Sequence, residues 1–65
     1  MAMSKKKSLI NAILYIHYKL IDSFDSLLVC LENGREEWKL FVEEVARYSA
    51  MEEVLLKKLY TMEAV

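Results

Sequence analysis

Apolar residues recur at helical spacing through two long stretches of this chain. In the first, one heptad position holds Ile10, His17, Phe24 and Leu31. A second holds Ile13, Leu20 and Leu27, and a third holds Leu14, Ile21 and Leu28. Recurrence at i, i+3, i+4 and i+7 is the mark of a helix that buries one face. Asp22, Asp25 and Ser26 interrupt the composition but not the phase. They fall on the outer face while Phe24 keeps its register, so the spacing predicts one continuous helix over residues 8–32. The second stretch repeats the pattern. Trp38, Val45, Glu52 and Leu59 share one position, Phe41, Tyr48, Leu55 and Met62 the next, and Val42, Ser49 and Leu56 the third. This predicts a helix over residues 35–62. Glu36 and Glu37 fall in its first turn and Lys57 and Lys58 near its end, which suits the helix dipole.

Between the stretches lies Asn33-Gly34, the only glycine in a chain without proline. Glycine takes the left-handed conformation that ends helices, and asparagine is the next most tolerant residue. A turn this short makes the two helices antiparallel neighbours. The predicted fold is therefore all-α: an antiparallel hairpin over residues 8–65, with helices about 37–42 Å long at 1.5 Å per residue. Folding back at this turn pairs positions whose numbers sum to about 69, which brings His17 beside Glu52 and Leu31 beside Trp38.

One hairpin does not account for all the apolar surface. Leu9, Ile16 and Cys30 extend the stripe of the first helix to one side, and Tyr15, Tyr18 and Val29 lie further round. The second helix adds Leu40, Met51, Val54 and Tyr60 outside its seam. The apolar arc of the first helix exceeds half its circumference, more than one antiparallel partner covers. Two hairpins packed as a four-helix bundle would cover it, with a two-fold homodimer as the simplest arrangement and a helical protein partner as the other. Leu9, Tyr15, Ile16, Tyr18, Leu40, Met51 and Val54 form the expected partner-binding set.

Size points the same way. With 65 residues the chain buries only about 60% of its unfolded surface, and domains this small usually need a staple. One cysteine cannot form an internal disulfide, and no Cys/His cluster suggests zinc. Another protein chain is the staple that remains. Hydrophobic residues make up 55% of the chain, above the usual range for a soluble domain.

Charge adds two alternatives. The net charge is −1, but residues 1–20 carry Lys5, Lys6, Lys7 and Lys19 and no acid, whereas all ten acids lie beyond residue 20. Residues 1–7 read as a flexible basic tail. The tail and the tyrosines near it suggest, as one alternative, a regulator that contacts nucleic acid. As another, residues 5–21 could lie on a membrane surface as a basic amphipathic helix. The longest uncharged run, Ser8 to Tyr18, is too short to span a bilayer, and no small-residue cleavage pattern follows the lysines. The expected setting is cytoplasmic, with a reduced thiol at Cys30.

His17 and Glu52 are the two polar intruders in the apolar stripes. As neighbours they would form a polar layer, either a structural hydrogen-bonded pair or one that sets pairing specificity. Catalysis requires a nucleophile, a base and an orienting group that converge. The only histidine and Cys30 are almost two heptads apart on one helix, and no metal or cofactor motif is present. The expectation is a small non-enzymatic interaction protein (an adaptor, chaperone, regulator or inhibitor) that works through apolar helix faces without a cofactor.

Overall fold

The computed structural model describes the backbone of residues 4–64 and the side chains of residues 4–62. Helix α1 runs from Lys5 to Glu32 and helix α2 from Trp38 to Ala64. They pack against each other along their length as an antiparallel hairpin, 48 × 24 × 13 Å overall. The smallest dimension is about one helix diameter. The hairpin is thus a single layer of two helices, whereas domains are built from two or more packed layers.

The start of α1 differs from the expected tail. Lys5, Lys6 and Lys7 lie within the helix, and residues 1–3 of that tail fall outside the described residues. Ser4 is the reason. Its backbone is extended (φ −63°, ψ 156°), its Oγ accepts a hydrogen bond from the Lys7 N–H at 3.1 Å, and its carbonyl accepts from the Ser8 N–H at 2.9 Å. An N-cap serine satisfies a backbone donor that would otherwise be orphaned. That local gain outweighs the poor match of three lysines to the positive end of the helix dipole.

The turn closes with a Schellman arrangement. The Gly34 N–H donates to the Leu31 carbonyl at 3.3 Å, and the Arg35 N–H reaches back to the Cys30 carbonyl at 2.9 Å. These paired bonds require a left-handed residue just past the cap. Gly34 supplies it at φ +63°, the only positive φ among the described residues. Asn33 adds a side-chain bond, with Nδ2 donating to the Val29 carbonyl at 2.7 Å. Three of the carbonyls that a helix end strands are therefore satisfied, that of Val29 twice, because the Asn33 N–H also donates to it.

Helix α2 begins three residues later than the spacing suggested. Trp38, Lys39 and Leu40 donate to the carbonyls of Arg35, Glu36 and Glu37, each three residues back, before Phe41 makes the first bond to the fourth residue back. The entry is a tight 3₁₀-like turn. Glu36 and Glu37 thus precede the helix rather than forming its first turn, and Lys57 and Lys58 lie more than a turn before its end at Ala64.

The core of the hairpin is thin. Ile16, Leu27 and Cys30 are its buried hydrophobic residues, with Ser23 buried beside them. Leu9, Ile13 and Leu20 of α1 and Trp38, Phe41, Val45, Tyr48, Leu55 and Leu59 of α2 are half-buried along the same seam. On α2 this is two of the three predicted positions; Val42, Ser49 and Leu56, the third, stay exposed, as does Met62. On α1 the seam is rotated toward Leu9, Ile16, Ser23 and Cys30, away from Ile10, Phe24 and Leu31, which stay exposed. Small residues explain the rotation. Ser23 and Cys30 let the helices approach closely, and the Ser23 hydroxyl donates across the seam to Glu44 Oε2 at 3.3 Å. Phe24 in the same place would hold the helices apart.

Candidate interaction surface

Rotation of the seam decides which apolar residues remain available. Leu14, Ile21 and Leu28 join Ile10, Phe24 and Leu31 as exposed residues along one side of α1. The chain returns antiparallel, so the handedness of the two helices places Val42 and Leu56 of α2 on the same broad side. Both are exposed. No lysine, arginine or aspartate interrupts this strip. It is a two-helix face of aliphatic and aromatic side chains without a cover in the isolated chain.

His17 and Glu52 lie within that face. His17 Nδ1 and Glu52 Oε1 are 3.0 Å apart and join the two helices. A carboxylate offers only acceptors, so the ring carries its proton on Nδ1 and donates. The imidazole side chain is half exposed, whereas the carboxylate is largely covered, at 50% and 18%. Glu52 thus ties the ring to α2 through Nδ1, and Nε2 does not take part in this bond. Among the described residues, no group of three or more His, Cys, Asp or Glu side chains is placed to hold a metal.

The expected partner-binding residues divide between seam and surface. Tyr15, Tyr18, Leu40, Met51 and Val54 are exposed. Ile16 is not: at 6% exposure it is the most deeply buried of the described residues, and Leu9 is half-buried near the open end. Both lie along the intramolecular seam of the hairpin. Ile10, Leu14, Ile21, Phe24, Leu28 and Leu31 take the outward position that those two were expected to occupy.

A second surface feature lies away from this face. Near the turn, Asp25, Ser26, Val29, Cys30, Arg35, Glu37 and Phe41 line an open groove of about 420 Å³. Another open groove, of about 580 Å³ at the far end of the hairpin, is lined by Lys5, Leu9, Val54, Lys57, Lys58, Thr61 and Met62. The latter brings lysines from the start of α1 and the last third of α2 to one place, a juxtaposition that only the fold-back creates. Within the described residues no helix is long and apolar enough to cross a membrane. Protein-family models, curated proteins and solved structures were all compared with the chain, and none matches it significantly.

Proposed function

We propose that this chain is a small, non-enzymatic protein-interaction module that acts by presenting an apolar two-helix face to a helical surface, completing a four-helix bundle as a homodimer or with a different chain. One observation carries the proposal: among the described residues the hairpin buries three hydrophobic ones and exposes Ile10, Leu14, Ile21, Phe24, Leu28 and Leu31 in a row on one helix. Contiguous apolar surface on this scale marks an interaction site. The expected mode is helix against groove, with Phe24 and Ile21 as central anchors. Tyr15, Tyr18, Leu40, Met51 and Val54 would serve contacts outside that face. The role suits an adaptor, chaperone or regulator that works by occupancy rather than chemistry.

Co-purification tests this reading. The immobilised chain should retain a specific protein, itself or another, and Ile21→Asp should abolish retention while an exposed control such as Tyr60→Asp does not. Retention unaffected by Ile21→Asp would move the interface elsewhere.

A second reading draws on the basic groove. Lys5, Lys57 and Lys58 line one end of the hairpin together, an arrangement that suits a nucleic-acid phosphate backbone. Binding of that kind weakens steeply as salt rises. Association with a short duplex that is absent, or indifferent to salt, rejects it.

A further inference from the structure

We propose that the partner on the apolar face is a second copy of this chain, related by a two-fold axis parallel to the helices, so that both turns lie at the same end and the two His17–Glu52 pairs meet in one polar layer. The inference rests on the interaction-module reading and names its partner and alignment.

Surface area supports a partner of this size. The isolated chain exposes 5292 Å². A compact protein of 7.6 kDa exposes about 4,300 Å² by the scaling of folded monomers. The excess of about 1,000 Å² slightly exceeds the roughly 800 Å² per partner of a standard interface. One face-to-face contact with a second hairpin therefore removes the excess, and the result has the two layers of an ordinary domain.

The polar pair supports a second copy over an unrelated helix. A cover for this face must be apolar along nearly its whole length yet offer hydrogen-bonding groups at the level of His17. This chain has that pattern. The half-exposed His17 ring of one copy, whose two nitrogens both donate in the imidazolium form, and the Glu52 carboxylate of the other pair are the groups such a layer needs. A polar layer within an apolar bundle penalises arrangements that leave its members unpaired.

The same pair selects the alignment. The exposed row on α1 extends from Ile10 to Leu31, and His17 lies off its midpoint. Reversing one copy about that midpoint sets His17 against Phe24 of the other and leaves both polar pairs facing apolar side chains. Sliding the reversed copies to match the polar pairs uncovers Leu28 and Leu31. Only the same-end alignment both covers the row and matches the polar level.

Two measurements on the full chain test the proposal. Sedimentation velocity of the natural sequence across a dilution series should show a monomer–dimer equilibrium in which helix content falls as dimer is lost. This needs no variant that must fold. A nitroxide at Glu36→Cys, in a Cys30→Ala background that keeps the dimer, then reports alignment by dipolar spectroscopy. Same-end packing gives a label separation well under half of the 48 Å length; a separation near that full length overturns the alignment. A chain that stays monomeric and helical to the highest concentration overturns self-association. If that monomer retains a different protein in an Ile21→Asp-sensitive manner, the interaction-module reading stands and only the second copy is rejected.

Discussion

His17 Nδ1 and Glu52 Oε1 meet at 3.0 Å across 35 residues of sequence, the side-chain link between α1 and α2 that lies on the exposed apolar side rather than in the seam. Its ring is half in water, so within one hairpin the bond adds little. Exposed pairs of this kind are worth about 0.2–1 kcal/mol. A double-mutant cycle with His17→Ala and Glu52→Gln, read by the residual helix content of the dilute chain, should return a coupling below about 1 kcal/mol. Under dimeric conditions the coupling should rise, since the pair is then shielded from water. Replacing both with leucine should strengthen assembly and broaden the label-distance distribution, because the aligning layer is gone.

Ile16 separates the seam from the outer face. Ile16→Ala should cost about 2–4 kcal/mol, in the range for truncating buried aliphatic residues. For a chain this small, that is enough to unfold most of it, seen as loss of helical circular dichroism. Tyr60→Ala, at an exposed position, should change stability by no more than about 0.5 kcal/mol. Equal effects from the two substitutions would contradict the seam described above.

Gly34 is constrained by backbone rather than by space. A Cβ built there meets no atom within 4 Å, yet φ is +63°. Gly34→Ala should therefore destabilise by about 1 kcal/mol through conformational strain alone, lowering the melting temperature by roughly 4–8 °C for a domain of this size. Gly34→Asn should cost less, since asparagine tolerates the left-handed region better.

Ser4 predicts a local effect. Ser4→Ala removes the acceptor of the Lys7 N–H and should cost about 1 kcal/mol at the helix start. Hydrogen exchange should speed up at Lys7 and its neighbours while the amides near Leu27 are unaffected. A uniform change along the chain would mean that the cap supports the whole hairpin.

The turn, the antiparallel pairing and the facing of His17 and Glu52 were legible because each follows from a strong local signal, a lone glycine between two uninterrupted helical phases. The stripe of α2 was legible for a related reason: Trp38, Phe41, Val45 and Tyr48 form one narrow ridge. The seam of α1 was not. Its apolar arc is so broad that either edge could face α2, and periodicity carries no preference between them. The deciding residues were Ser23 and Cys30, whose small size favours close approach. A rule that scores bulk as well as polarity at each heptad position would have found them. The early start of α1 escaped because a single serine cap outweighed three lysines, a balance that composition does not show. Helix α2 starts late because residues 35–37 form the tight lead-in turn, and two glutamates read as helix-starting charge gave the opposite signal.

A slab 13 Å thick has no inside until something is laid against it. With a second copy as that cover, folding is a bimolecular event, and the folded fraction follows mass action in the chain's own concentration. A cell that makes little of it holds mostly open chains, exposed to proteolysis. A cell that makes more crosses into a paired, durable form. With a second copy as its cover, a chain one helix layer thick would have a lifetime that depends on its rate of synthesis.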